Sequence, residues 1–167
     1  CIPAVPPILP DRSKFRISST FGYRSDPISG HTKMHTGFDF ACKPGNPVYA
    51  SGDGTVESVN FDLFNYGTSV VIDHGFGYKT RYAHLKTAYV VEGMKLKRGE
   101  CLGESGNTGK STGPHLHYEV IYKGRYVNPV NYFDIDMPLN EYRSMITKVA
   151  DESDNVMTGH IRKTRRR

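Results

Sequence analysis

Two histidines alternate with an apolar residue in the stretch Ser111-Thr112-Gly113-Pro114-His115-Leu116-His117-Tyr118-Glu119. Because successive side chains of a β-strand point to opposite faces, His115 and His117 share one face of such a strand. Leu116 then points to the other face, where it can join a core. We interpret the stretch as a strand that presents a pair of imidazoles to a site.

A second histidine motif, His35-Thr36-Gly37-Phe38-Asp39, lies nearer the start of the chain. As part of a strand over Thr36–Ala41, it places an imidazole and a carboxylate, His35 and Asp39, on one face. Catalytic zinc takes three protein ligands of the N or O type and keeps a fourth position open. These two residues and one histidine of the later pair supply that number, and the spacing leaves open which one. Either motif alone also fits metal-free, solvated histidines, but the two together favour a metal site.

The chain has seven histidines, and the other four receive different interpretations. His84 is a further candidate for the site, and strand alternation places it on the same face as Tyr82. His31 could compete as a ligand, but it follows Ser and Gly in a turn, and we interpret it as a loop histidine. His74 and His160 fall in a turn and in the tail, where we expect structural or incidental roles.

The pattern HExxH is absent from the sequence, and with it the glutamate that serves as general base in zinc peptidases of that type. If the metal activates a water molecule, a histidine must therefore take this role. With His117 as the ligand, His115 lies one strand step away and can take a proton from that water, while His84 can stabilise an oxyanion. The sequence does not distinguish which of His84 and His115 is the base.

Short apolar segments separated by Gly-, Asn- and Asp-rich turns predict a mainly β, antiparallel architecture. The candidate strands are Phe15–Thr20, Thr36–Ala41, Pro47–Ala50, Thr55–Phe61, Ser69–Asp73, Lys79–Leu85, Glu100–Glu104 and Leu116–Tyr122.

Composition divides the chain into four segments. Residues 1–14 hold four of the 10 prolines and predict an extended strap, because proline removes ladder donors. Residues 15–137 form the β domain. Apolar residues at three- and four-residue intervals predict a C-terminal helix over residues 138–150, and polar residues 151–167 predict a flexible tail. The helical stripe consists of Leu139, Tyr142, Met145, Ile146 and Val149.

The formal net charge of +5 arises from the end of the chain. Five of the 22 Lys and Arg residues lie in the last seven positions, Ile161–Arg167, and the remainder balance the 17 Asp and Glu residues. The body therefore lacks the basic surface of a nucleic-acid-binding protein. A terminal basic run of this kind is typical of a solvated end.

The three cysteines are Cys1, Cys42 and Cys101, and no CxxC pair is present, which excludes a structural zinc knuckle. Pairing of Cys42 with Cys101 stays open, because the sequence does not give the distance between them. A chain that begins at Cys1 rather than Met leads us to expect a leader, a membrane anchor or both before it.

Four segments together resemble the lysostaphin-type, LytM-like zinc endopeptidases that hydrolyse peptidoglycan. They are Phe21-Gly22-Tyr23-Arg24-Ser25-Asp26-Pro27, His35-Thr36-Gly37-Phe38-Asp39, Tyr82-Ala83-His84 and the stretch from Ser111 to Glu119. The resemblance runs from about Ile17 to Phe133, with the segments in the family's order and spacing.

The resemblance implies an antiparallel β-sheet with a narrow groove over a zinc site. It implies that His35, Asp39 and His117 bind Zn²⁺, and that His84 and His115 face the substrate and the water on the metal. Peptidoglycan cross-links or stem peptides are the implied substrate. The implied location is the cell envelope, periplasmic or extracellular.

Three hypotheses follow from the sequence, of which an active zinc peptidase of the bacterial cell wall is favoured. The second is a latent or catalytically silent wall-binding regulator of the same fold, for example with the strap or the helix over the groove. The third is an unrelated β domain with a structural metal or none. We expect Asn65-Tyr66-Gly67 and the loop Gly106-Asn107-Thr108-Gly109 to border the groove. The bond that is cut and the oligomeric state are not indicated.

Overall fold

The computed structural model describes residues 2–11, 13–25, 29–134 and 136–148, and these residues form twelve β-strands. The strands are β1 (Phe15–Ser19), β2 (Gly22–Ser25), β3 (Thr32–His35), β4 (Phe38–Cys42), β5 (Pro47–Tyr49), β6 (Gly54–Asp62), β7 (Gly67–Gly75), β8 (Tyr78–Ala88), β9 (Lys95–Leu96), β10 (Cys101–Ser105), β11 (His115–Tyr122) and β12 (Arg125–Val127). A single 3₁₀ turn at Pro129–Asn131 and a helix over residues 139–148, α1, complete the described part.

Ten strands form one sheet in the order β1-β4-β11-β8-β7-β6-β9, with β12 on β11 and β10 joining β8 to β5. Strands β2 and β3 form a separate two-stranded sheet. Each pairing among the described strands is antiparallel. The predicted mainly β, antiparallel fold with one C-terminal helix is confirmed.

The two faces of β11 separate the core from the site, as the alternation in its sequence predicts. Leu116 and Tyr118 are completely buried and pack in the core with Phe40 and Tyr82. Burying a side chain of this size stabilises the fold by about 1.5–3 kcal/mol. The intervening residues of β11 point to the opposite face, so the core fixes the strand that carries the site residues.

The prediction of one continuous strand over Thr36–Ala41 is wrong. The chain instead leaves β3 at His35, bends, and enters β4 at Phe38, so the two site residues of this motif lie on different sheets. The bend brings the backbone of Gly37 against β11, where a Cβ atom would lie 2.5 Å from the Tyr118 carbonyl oxygen. Only glycine permits that approach. The β2–β3 hairpin was not among the candidate strands.

The N-terminal strap and α1 pack together at strand β5. Ile8 is 2% exposed and forms a bridge with Val48, and the Tyr49 amide donates to the Pro7 carbonyl at 2.8 Å. The buried Tyr142 hydroxyl of α1 donates to the Pro6 carbonyl at 2.6 Å. The predicted helix is confirmed over residues 139–148, whereas Val149 and the tail lie outside the described residues.

Two further features of the sequence are resolved by the structure. Cys42 is buried, Cys101 is exposed, and both are free thiols, so they form no disulfide. Among the described residues, no helix has the length and apolar character needed to cross a membrane.

His74 was interpreted as a turn residue, but it lies in β7 and is 5% exposed. Its Nδ1–H donates to the Asp53 carbonyl at 2.8 Å, which leaves Nε2 to accept from the Thr80 hydroxyl at 2.7 Å. Burial lowers its pKa below the ordinary value of 6.5, against the raising effect of the Asp53 carbonyl and of nearby Asp73. The structure therefore holds His74 as a neutral imidazole.

We expect His74 to make the protein less stable in mild acid. The unfolded chain takes up a proton near pH 6.5 and the folded chain does so only at lower pH, so stability present above pH 6.5 is lost as pH falls below it. This contribution is at most about 1.4 kcal/mol per pH unit. Urea unfolding between pH 7.5 and 5, in one fixed metal state, should give a shallower pH dependence for His74→Gln than for wild type. Equal slopes would contradict the prediction.

Candidate metal centre and active site

The register of three neighbouring strands places the site residues side by side. His117 of β11 is paired with Asp39 of β4 on one side and with Ala83 of β8 on the other. Paired residues of adjacent strands share a face and lie about 4.5–5.5 Å apart. His35, at the end of β3, enters the same space from the hairpin, because the bend after it turns the chain back toward β4.

Three side chains, His35, Asp39 and His117, form a compact cluster. His117 Nδ1 lies 2.7 Å from Asp39 Oδ1, and His35 Nε2 lies 3.2 Å from Asp39 Oδ2 and 3.3 Å from His117 Nδ1. One donor atom from each residue lies within 4.8 Å of the others, which is close enough for one metal ion. Two imidazole nitrogens and a carboxylate oxygen are ligands that suit zinc. The three residues are 7%, 9% and 6% exposed, as expected for a centre partly shielded from water.

In each histidine of the cluster, the ring nitrogen that does not face Asp39 forms a hydrogen bond that holds the ring. His35 Nδ1 lies 2.7 Å from the Thr20 carbonyl oxygen, which can only accept, so the proton is on Nδ1 and Nε2 is free for a metal. His117 Nε2 lies 3.0 Å from Glu119 Oε1, so this nitrogen donates and Nδ1 is free. Such outer hydrogen bonds orient metal-binding histidines and set their tautomers.

The negative charge of Asp39 and the positive charge of protonated His117 stabilise each other. Burial works to raise the pKa of Asp39, but the rings of His117 and His35, which donate to its oxygens when they carry a second proton, outweigh burial and hold that pKa well below its usual range. Burial works to lower the pKa of His117, but its hydrogen bonds to Asp39 and Glu119 raise it to about 9. A metal ion bound at His117 Nδ1 would take the place of a proton, so metal binding there would release protons.

Glu119 was not among the candidate site residues, although it lies in the quoted motif. Its carboxylate is completely buried and accepts from the Thr36 hydroxyl (2.6 Å), the Tyr66 hydroxyl (2.9 Å) and an Arg81 guanidinium N–H (2.9 Å), besides His117. Burial works to raise its pKa, and the hydrogen bonds from His117 and Thr36 help to lower it. Glu119 follows His117 by two residues on one strand, and that alternation is the signal that could have identified it.

His84 reaches the site through an irregularity of β8. The pairs Val70–Tyr82 and Thr68–Leu85 show that β8 has one more residue than β7 between them, which is a β-bulge. His84 has φ of 59°, a left-handed conformation that is uncommon outside glycine. The prediction that His84 shares the face of Tyr82 is therefore wrong, because Tyr82 is in the core and the bulge turns His84 toward the metal cluster.

Loops fix the ring of His84. Its backbone N–H donates to the Tyr66 carbonyl at 2.8 Å, and its Nδ1–H donates to the Thr108 carbonyl at 2.7 Å. Both loops that were expected to border the groove, residues 65–67 and 106–109, therefore lie against His84. Gly67 contacts Thr108 so closely that a Cβ atom there would lie 2.4 Å from the threonine hydroxyl.

His115 lies beside His84, with ring centroids 4.7 Å apart. Its Nδ1 is 2.8 Å from the Gly113 carbonyl oxygen and 3.0 Å from the Ser111 hydroxyl, so Nδ1 carries the proton. The opposite nitrogen, Nε2, lies 3.9 Å from Asp39 Oδ1 and faces the metal cluster as an acceptor. His31, in contrast, is an exposed residue just before β3 and is not part of the group that could hold a metal, and His160 lies outside the described residues.

Comparison with known proteins identifies the family. The model described as peptidase family M23 matches residues 33–129, more than half of the chain. The chain belongs to peptidase family M23. The peptidoglycan DD-endopeptidase ShyA of Vibrio cholerae is 47% identical over 131 residues, which are 78% of this chain and 30% of that protein.

Two solved structures are similar to the M23 domain described above. A zinc-containing peptidase from Vibrio cholerae has a TM-score of 0.69 and 40% identity, covering 75% of this chain and 39% of the other. The catalytic domain of lysostaphin from Staphylococcus simulans has a TM-score of 0.64 and 28% identity, covering 71% and 91%. The chain spans about a third or less of the length of the curated relatives it matches.

These findings confirm the resemblance and the fold that the sequence predicted, and the M23 family is one of peptidases. The zinc cofactor is confirmed by the family, by the zinc-containing neighbour and by the His-Asp-His group. The individual roles of His35, Asp39, His84, His115 and His117 stay predictions that rest on the geometry.

We expect Glu119 to position His117 for metal binding. Glu119→Ala removes the acceptor of His117 Nε2–H, and the loss of such a partner weakens metal affinity by about 10–100-fold. Zinc affinity, measured by competition with a chromophoric chelator, should fall less in Glu119→Gln, whose amide oxygen still accepts. Glu57→Gln, which removes an exposed glutamate bonded to Lys79, is the matched control. Wild-type zinc affinity in Glu119→Ala would show that the contact is dispensable.

Proposed function

We propose that this M23 domain is a zinc metalloendopeptidase that hydrolyses peptide bonds in peptidoglycan, within stem peptides or their cross-links. The observation that carries the proposal is the pair His84 and His115 beside a buried three-ligand cluster, each with one ring nitrogen fixed by a carbonyl. The name of the relative ShyA, a peptidoglycan DD-endopeptidase, supports the choice of substrate.

His35 Nε2, an oxygen of Asp39 and His117 Nδ1 would hold the zinc ion. Zinc in such a site acts as a Lewis acid on a carbonyl and lowers the pKa of water toward 7. The burial of the three residues and the hydrogen bonds to Thr20 and Glu119 keep the ligand atoms oriented before any metal arrives.

The chain's own part in the reaction is proton transfer and charge stabilisation. His115 Nε2 faces the cluster with its lone pair, and it accepts the proton of the attacking water because its Nδ1–H stays bonded to Gly113. His84 Nδ1–H is likewise held by Thr108, so His84 donates through Nε2 only in its protonated form. Burial lowers the pKa of His84 in the free site, so this form arises when negative charge develops on the substrate beside it, and it then stabilises that charge. We assign the base role to His115 because its Nε2 faces the Asp39 carboxylate.

A peptidoglycan substrate implies a location in the cell envelope, periplasmic or extracellular. The peptidoglycan itself is then the partner, and a membrane anchor outside residues 1–167 is compatible with this location. The balanced charge of the body gives no reason to propose nucleic acid.

The alternative of a latent or silent regulator receives no support from the described contacts. The strap donates and accepts hydrogen bonds at Tyr49 and Ser51, and α1 binds the strap through Tyr142. These contacts lie at β5, at Ser51 just after it and within the strap, and they involve neither His84 nor His115.

Release of soluble muropeptides from purified cross-linked cell walls, followed by mass spectrometry, tests the proposal. The zinc-loaded domain should release fragments whose masses identify the bond cut, a chelator should stop the release, and added Zn²⁺ should restore it. A zinc-loaded, folded domain that releases nothing from walls and cuts no stem peptide would refute the enzymatic proposal and favour the regulator.

A further inference from the structure

A row of three residues runs across the sheet from the proposed catalytic base to the edge strand β1. His115 is paired with Ala41 of β4, and Ala41 is paired with Arg16 of β1. Paired residues share a face, so Arg16 lies on the face that carries the metal cluster. Two strand spacings separate Arg16 from His115, about 10 Å between their Cα atoms.

Two more cations, Lys14 and Lys43, line the same groove as Arg16. Lys14 precedes β1 and lies two residues before Arg16, while Lys43 follows β4 and lies two residues after Ala41. Phe15, between the first two, points to the core and is 4% exposed. The three basic side chains, Lys14, Arg16 and Lys43, are exposed, and we call them the basic triad.

A groove passes between the members of the basic triad. Its walls include all three, and it extends to Ala41 and to Pro114, the residue before His115. The groove is shallow and open to solvent, with a volume of about 480 Å³. The methyl group of Ala41 forms a low floor between the triad and His115, so an extended chain can lie across it.

The backbone under the basic triad is fixed by hydrogen bonds, and the side chains of the triad are exposed. The Lys14 amide donates to the Asp11 carbonyl at 2.8 Å, and the Lys43 carbonyl accepts from the Ser105 hydroxyl at 3.0 Å. Within the described residues, no member of the triad forms an ion pair with a carboxylate. The carboxylate of Asp11 is nearby, but it accepts from the backbone and hydroxyl of Ser13.

We propose that the basic triad is an anion subsite of the active-site groove, which binds a carboxylate of an acidic peptide substrate. An extended peptide rises about 3.3 Å per residue, so the distance of about 10 Å places that carboxylate about three residues from the bond that is cut. Arginine suits this task, because its guanidinium group can bind a carboxylate with two parallel hydrogen bonds. The inference rests on the proposed peptidase function and specifies the kind of peptide that the enzyme selects.

The test uses two synthetic stem-type peptides that differ in one group. One has a free carboxylate about three residues from the scissile bond, and the other has that carboxylate amidated. Zinc-loaded wild type should show a KM about 10–100-fold lower for the free carboxylate, with similar kcat, because hydrogen bonds to charged groups have this strength. The preference should shrink as salt rises, since exposed charges are screened.

Substitution of the basic triad should abolish the preference. The variant Lys14→Gln/Arg16→Gln/Lys43→Gln should treat the two peptides alike and keep the wild-type kcat on the amidated one. Arg16→Lys alone should retain part of the preference. The control Lys95→Gln/Lys123→Gln/Arg125→Gln removes the same charge from other strands and turns, and should leave the preference unchanged. A melting temperature for each variant checks that it is folded.

Direct binding separates failure of the subsite from failure of the proposed function. Calorimetric titration of the acidic peptide into the zinc-loaded protein should show weaker binding to the triad variant, whether or not the peptide is cut. If neither peptide nor cell walls are hydrolysed but this difference persists, the peptidase proposal fails and the anion subsite stands. Equal binding by wild type and the triad variant, or equal KM values for both peptides in wild type, would overturn the subsite.

Discussion

Replacing Asp39 or His117 with alanine should leave the protein without zinc and lower peptide hydrolysis by about 10³-fold or more. Each change leaves two protein ligands where a catalytic zinc site has three. Asp39 also bonds both histidines of the cluster, at 2.7 Å and 3.2 Å, so its loss removes the charge that draws the three side chains together. Metal content by mass spectrometry and turnover should be measured on the same preparations.

His31→Ala is the matched control for the loss of zinc. It removes an exposed histidine four residues before His35 and should keep both stoichiometric zinc and activity. Zinc retained in the same site by His117→Ala would show that His117 is not a ligand. Loss of zinc from His31→Ala would show that the first ligand is His31, four residues before the predicted His35.

Eight of the twelve described strands and the two-sided pattern of β11 could be predicted from the sequence because they depend on local alternation, whereas β2, β3, β9 and β12 were missed. Leu116 and Tyr118 alternate with His115 and His117, and the core accepts the apolar pair. The prediction of a metal site required that the two motifs meet in the fold, and Asp39 of β4 is indeed paired with His117 of β11, while His35 enters from β3.

Features that depend on contacts between distant segments were not predictable in this way. The bend at Gly37 is set by the approach of its backbone to Tyr118, which is 81 positions away in the chain and has no local signal. The bulge at His84 exists because Tyr66 and Thr108 hold its backbone and ring from two other loops. Strand alternation alone therefore assigned His84 to the wrong face.

Glu119 shows a different limit of sequence reasoning. A glutamate in a strand is ordinarily read as solvated, and nothing local indicates that Arg81, Tyr66 and Thr36 surround it. The structure shows a completely buried carboxylate with four hydrogen-bond donors. A buried charge is tolerated only when it is paired and hydrogen-bonded, and here those partners orient His117.

His115→Ala should retain stoichiometric zinc and the wild-type fold, and yet lose about 10²–10⁴-fold in turnover, the contribution typical of a general base. Its Nε2 faces the cluster at 3.9 Å from Asp39, but it is not one of the three groups that could hold the metal. The three residues of the metal cluster should keep their positions, because the hydrogen bonds of the His115 ring go to its own loop, at Gly113 and Ser111.

His84→Ala should also keep its zinc, with a loss of about 10²–10³-fold for oxyanion stabilisation. The two variants differ in what each removes, so their pH profiles distinguish them. Without His115, the acidic limb of kcat/KM should disappear, because that limb reports the base that must be unprotonated. Without His84, the basic limb should disappear, because that limb reports the group that must donate. A His115→Ala variant that is metal-free, beside a zinc-loaded His117→Ala variant, would show that ligand and base are exchanged within this strand.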